Sequence, residues 1–309
     1  MSQNTRAFVA PLIASRKTLR DIGVEVRLFT SAAAWMADCD VLLVTSKYYG
    51  SRWARDSMGI LIELAEYASR AGTLVYCDIH DSSGLVRTEV LPHVQMYLKS
   101  YLLVDRKKYA QLHYGGRLYT DYYYRNAGVQ DREPTFSDPI SDPAELEKLQ
   151  VSWNMGLANY GRLGSRIAAL HARLPIASLL RMQPCLHQPQ ARRAMDLTCR
   201  FGKEYDRETV AHQRWWVHEK LRQWAPSGAV SRGKYFREMR QAKVVPSPFG
   251  WGEFALRDYE AFVCGAALFK PDMSHLETYP DYYRDGETMV AHRWDLRDFD
   301  EKLQHLLSD

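Results

Sequence analysis

The first regular block of the chain is DCDVLLVTSKYYG, in which the apolar run 41–44 passes directly into polar residues. An apolar run without alternation marks a strand buried on both faces, and the polar residues after it predict a ligand-facing loop. In the next block, SMGILIELAEYASRAG, residues Ile60, Leu61, Leu64 and Ala68 recur at helical spacing before Gly72. TLVYCDIHDSSG then predicts a second strand ending in acidic and histidine side chains. Strand, helix and strand joined by short connections favour a parallel sheet, so the first part of the chain reads as α/β.

Residues 115–143 are rich in Gly, Asp, Tyr and Pro and carry no sustained periodicity, which is the composition of a loop or linker. The following stretch contains the helical-looking RIAALHARLPIASLL, interrupted by Pro175. A domain boundary near residue 145 follows, giving an N-terminal domain 1–145 and a C-terminal domain 146–309. Regularity returns with a strand at TCRFG and helices over RETVAHQRWWVHEKLRQWA and KYFREMRQA. The strand KVVPS, the loop PFGWGE, the helix LRDYEAFVCG and the strand AALFKP come next, and DLRDFDEKLQHLL closes the chain as an amphipathic helix. These repeated transitions make the second domain α/β as well.

Composition narrows the function classes. The chain has 309 residues, with 41 Lys plus Arg against 37 Asp plus Glu and a net charge of +4. No basic stripe or tail accompanies that small excess, which argues against a nucleic-acid partner and leaves peripheral contact with an anionic membrane surface open. The five cysteines are scattered and never closely paired, the usage expected of reduced thiols in a cytoplasmic protein. The N-terminal residues hold no apolar run long enough for a signal peptide or a membrane span. Tyrosine is abundant, with 19 copies, and its apolar face and polar tip suit cores, clefts and interfaces alike.

The chemistry concentrates in residues 243–283. Pro and Gly interrupt the chain directly after a strand, and Glu253, Arg257, Asp258 and Glu260 follow around the start of a helix. A glycine-containing loop at a helix N-terminus can bring backbone N–H groups against a phosphate, while Glu260 can accept hydrogen bonds from a ribose diol. The same residues also fit a tight turn whose acids cap the helix. Neither GxGxxG nor GxxxxGK[ST] occurs, which argues against a nicotinamide dehydrogenase or a P-loop nucleotidase. In the first domain, Asp78, His80 and Asp81 follow the TLVYC strand and face a cleft at its C-terminal edge. An Asp and a His spaced this way can act as base and orienter, or align an acceptor hydroxyl. No second His or Cys cluster completes a metal site around DIHD, and no metal is expected.

PSPFGWGE, RDYEAFVCG and KPDMSHLETYPD together resemble the carboxyl-terminal signature of group 1 glycosyltransferases, in the spore-maturation-like subgroup. The resemblance extends over residues 195–305 and is thin before residue 145. It implies two facing Rossmann-like domains of the GT-B architecture with an interdomain cleft, an acceptor-side first domain and a donor-binding second domain. It further implies a metal-independent transfer of a sugar from a nucleotide-sugar donor to an acceptor hydroxyl on a glycan, protein or small molecule, with no cofactor. Glu260 matches the ribose ligand, and Gly250, Trp251, Gly252 and Glu253 fall in the sugar and diphosphate region. The retaining members carry two glutamates with seven residues between them, whereas six residues lie between Glu253 and Glu260, so the stereochemical outcome stays open. Arg200 and Lys203 are candidates for the diphosphate clamp, and Lys270 and His275 for framing the substrates. The alternative from another class is a noncatalytic nucleotide-sugar-binding or scaffold protein.

Overall fold

The computed structural model describes residues 3–154, 188–189 and 192–308. The helical pattern RIAALHARLPIASLL and Cys185 lie outside the described residues.

The first domain opens with helix α1 (Gln3–Ala14) and a short helix α2 (Arg16–Asp21). Its sheet is built from β1 (Val41–Thr45), β2 (Thr73–Asp78), β3 (Met96–Lys99) and β5 (Leu149–Val151), with the two-residue β4 (Leu102–Leu103) standing apart. The order is β1-β2-β3-β5 and every pairing is parallel. Helix α3 (Ser57–Arg70) connects β1 to β2 and buries Ile60, Leu64 and Tyr67, the face that the apolar spacing predicts. Its start is fixed by Asp56, whose carboxylate accepts the Gly59 N–H at 3.0 Å. Strand β5 lies just past the expected boundary at 145 and pairs with β3, so the first sheet runs to residue 151. Trp153 then stacks on Phe8 of α1 at 4.4 Å and donates its indole N–H to the Phe8 carbonyl at 2.8 Å.

The stretch 115–143 contains a helix, α4 (Leu118–Ala127), where composition indicates only loop. Its buried face is Leu118, Tyr119, Thr120 and Tyr123, so tyrosines supply the burial that aliphatic periodicity does not advertise. Gly128 ends it in the left-handed conformation, with φ of 66°.

The second domain repeats the plan. Strands β6 (Met195–Leu197), β7 (Ala242–Pro246), β8 (Ala267–Pro271) and β10 (Met289–His292) form a parallel sheet of order β6-β7-β8-β10, while β9 (Leu276–Glu277) stands outside it. Helices α5 (Glu208–Leu221), α6 (Arg232–Gln241), α7 (Leu256–Val263) and α8 (Phe299–Ser308) complete it. Alternation along the strands feeds two cores: Val245 and Leu268 join the large core shared with the first domain, whereas Val244 and Phe269 pack with Leu221, Phe299 and Leu303. Two Rossmann-like domains therefore face each other, the GT-B-type arrangement.

The domains are tightly joined. Strands β4 and β9 pair antiparallel across them, with Leu102 opposite Glu277 and Leu103 opposite Leu276, and Arg106 salt-bridges Glu277. Tyr101 stacks flat on Phe254, with ring centroids 3.8 Å apart. Tyr123 receives the Gln213 amide N–H at 2.6 Å and donates to the Trp294 carbonyl at 2.9 Å.

Candidate functional site

The loops that follow strands β2 and β7 meet. Strand β2 delivers Asp78 into a fully buried position, where it receives Lys99 Nζ at 2.9 Å and Tyr97 Oη at 3.1 Å. His80 Nδ1 lies 2.8 Å from the other carboxylate oxygen. Burial pushes the Asp78 carboxyl up, but the Lys99 ammonium and His80 together hold it below the usual carboxylate range. A permanent carboxylate at Nδ1 favours the tautomer that leaves Nε2 as an acceptor, and the His80 side chain is 34% exposed. Asp81 takes a hydrogen bond from the Asn4 amide at 3.0 Å, and its burial pushes its carboxyl up.

On the opposite side, the loop after β7 is shaped by Arg214 of α5. This buried guanidinium donates to the Phe249 carbonyl at 2.7 Å and to the Gly202 carbonyl, between the rings of Phe201 and Tyr205. Burial lowers its pKa to about 10, so it remains a cation at neutral pH. The loop carries Gly250, the exposed Trp251 and Gly252 to Glu253, which is fully buried. A Cβ on Gly252 would sit 2.4 Å from Tyr101 Oη, so only glycine permits this approach. Arg117 ties the two loops together by donating to the Asp81 carbonyl at 3.0 Å and to the Trp251 carbonyl.

Glu253 is the meeting point. Ser83 Oγ, from the loop after β2, donates to one carboxylate oxygen, and His275 Nε2 stands 3.8 Å from that same oxygen. The second oxygen has no hydrogen-bond partner, nor does His275 Nδ1, and Nε2 stays beyond hydrogen-bond distance of the carboxylate it faces. Burial pushes the carboxyl up, yet His275 and Ser83 hold it below its ordinary value. A buried carboxylate with an unpartnered oxygen is costly, and such costs concentrate at functional sites.

The expected donor residues divide. Arg200 makes a forked pair with Glu238 at 2.6 and 2.9 Å, and Lys270 is fully buried 3.2 Å from Asp258. Burial pushes the Lys270 ammonium's pKa down. Both cations are thus engaged internally, whereas Lys203 has no hydrogen bond or ion pair among the described residues. Glu260 accepts the Tyr235 hydroxyl at 2.7 Å, and its burial pushes its carboxyl up. Asp258 takes the capping role, accepting the Ala255 N–H at 2.9 Å beside the Tyr283 hydroxyl at 2.8 Å.

Ser83, Lys99, Arg117 and Arg214 belong to the site without having been singled out by sequence. Ser83 lies in DIHDSSG, directly after the strand that points to Asp78, and Arg214 lies on the face of α5 that also buries Val210 and Val217. Among the described residues no group of three His, Cys, Asp or Glu side chains is arranged to hold a metal ion. No helix of the described residues is long and apolar enough to cross a membrane. Comparison with family models finds none that matches the chain, and no curated protein matches it.

Proposed function

We propose that this protein is a glycosyltransferase that moves a sugar from a nucleotide-sugar donor to an acceptor hydroxyl between its two domains, without a metal ion. The observation that carries the reading is Glu253, a buried carboxylate with an unpartnered oxygen where the strand-edge loops of two facing Rossmann-like domains meet. The resemblance of residues 243–283 to the group 1 signature points to the same loop.

In this reading Glu260 holds the donor ribose, and Lys203 with the loop at Gly250, Trp251 and Gly252 receives the diphosphate. The anomeric carbon–oxygen bond to the diphosphate breaks as a bond to the acceptor oxygen forms. The nucleoside diphosphate leaves with the bonding pair, its charge met by the cations and N–H groups around it. The acceptor proton passes to His80 Nε2, whose imidazolium Asp78 stabilises. Arg200 and Lys270 act at one remove, by fixing α6, whose Tyr235 donates to Glu260, and α7, which carries Glu260.

Glu253 is closed off by Ser83 and by the Tyr101–Phe254 stack, so a donor sugar reaches it only when the domains part. That closure also favours the second reading, a noncatalytic nucleotide-sugar-binding or scaffold protein. Titration calorimetry with uridine, guanosine and thymidine diphosphate sugars, followed by mass spectrometry of the products, separates the two. Binding with release of nucleoside diphosphate is expected. Binding without turnover would establish the scaffold reading, and no binding would remove both.

A further inference from the structure

A second site lies on the far side of His275. Residues at and after the C-terminal ends of β8 and β10, with Asp285 and Lys302, line an open pocket of about 440 Å³, within the range of roughly 300–1,000 Å³ usual for small-molecule sites. Asp272 and His275 come from the segment after β8 and Trp294 from the one after β10, while Tyr122 reaches in from α4 of the first domain. Both domains therefore build it.

Three features define the ligand. Trp294 and Tyr122 stand edge to face with centroids 5.4 Å apart, and the His275 ring meets Trp294 edge-on at 4.9 Å, giving the pocket an aromatic wall. His275 is nine-tenths buried; its Nε2 faces Glu253 at 3.8 Å, while its Nδ1 has no partner and so offers a hydrogen bond that no protein group takes up. The charged lining is acidic, with Asp272, Asp285, Asp295 and Asp298 against Arg293 and Lys302. Arg293 is spent on Asp295 at 2.9 Å and Lys302 on Asp298 at 3.1 Å. A diphosphate would meet repulsion here, which sets this pocket apart from the donor site. An aromatic face with convergent hydrogen-bonding groups and no spare cation suits a neutral ring bearing hydroxyls.

We propose that this pocket binds a saccharide, its apolar ring face against Trp294 and a hydroxyl on His275, and that this saccharide is the glycosyl acceptor. The first half stands on the pocket alone, and the second rests on the transfer reading. Because His275 Nε2 stands 3.8 Å from Glu253, a hydroxyl on this ring would lie at the edge of the interdomain junction.

The experiment is saturation-transfer NMR on the full chain with methyl glycosides of glucose, galactose, mannose and N-acetylglucosamine at millimolar concentration. It is repeated with Trp294→Ala, Trp294→Tyr and Tyr122→Ala, each checked for thermal unfolding. Transfer to the ring protons of at least one glycoside is expected. Affinity should fall about tenfold in Trp294→Ala and be largely kept in Trp294→Tyr. Trp294-dependent binding without donor turnover by the protein would uphold the saccharide site and overturn its assignment as acceptor. Donor turnover with no transfer to any glycoside would overturn the pocket while leaving the transfer reading intact. Displacement of a bound glycoside by uridine diphosphate would also overturn it, because the site would then accept the anion.

Discussion

Two buried titratable groups make opposite statements about pH. His292 is fully buried against Phe269 and Phe299, and burial lowers its pKa to about 4. The folded chain therefore holds this proton more weakly than the unfolded chain. Its contribution to stability is whole above the unfolded value near 6.5 and drains as pH falls to about 4, amounting to about 3 kcal/mol. Urea unfolding of the native chain and of His292→Phe over that interval should show the steeper loss in the native chain; parallel curves would contradict the burial argument. For Glu260 the sign is reversed, since burial raises its carboxyl and the ionised form is held at a cost. Glu260→Gln keeps an acceptor for the Tyr235 hydroxyl, so the melting temperature should hold or rise slightly. If the carboxylate binds ribose, donor affinity should fall by about tenfold to a hundredfold. Unchanged affinity would take Glu260 out of the donor site.

At the scale of elements, the glycine loop after β7 is held by fit against the other domain. Gly252→Ala would drive a methyl group against the Tyr101 ring, whose packing on Phe254 fixes both loops. A loss of about 1–3 kcal/mol in urea unfolding is expected, with Gly202→Ala, which meets open space, close to neutral. Equal effects would mean that the loop tolerates displacement. Strands β2 and β7 could be read directly, because each is a compact apolar run broken by polar or glycine residues. Helix α4 could not, since three of its four buried positions are Tyr119, Thr120 and Tyr123, which propensity and hydropathy do not separate from a polar loop. The contact of Ser83 with Glu253 spans 170 positions and leaves no local mark. Arg200 and Lys270 look like free cations in sequence because their partners Glu238 and Asp258 are supplied by folding.

The molecule as a whole is two similar halves closed on each other. Each sheet carries a fully buried lysine at the C-terminal end of its third strand, Lys99 paired with Asp78 and Lys270 with Asp258. Because a buried charge left alone costs on the order of several kcal/mol, each of these lysines is held against its carboxylate partner at the strand edge. In the proposed transfer a donor reaches the junction only when the two domains part, and Glu253 is the buried group that such an opening uncovers. The most direct test is the consumption of nucleotide sugars, followed by mass spectrometry, by the native chain and by Glu253→Gln. Release of nucleoside diphosphate by the native chain is predicted, with a loss of about a hundredfold or more in Glu253→Gln at unchanged fold. Consumption of no nucleotide sugar, or equal rates for the two proteins, would contradict it.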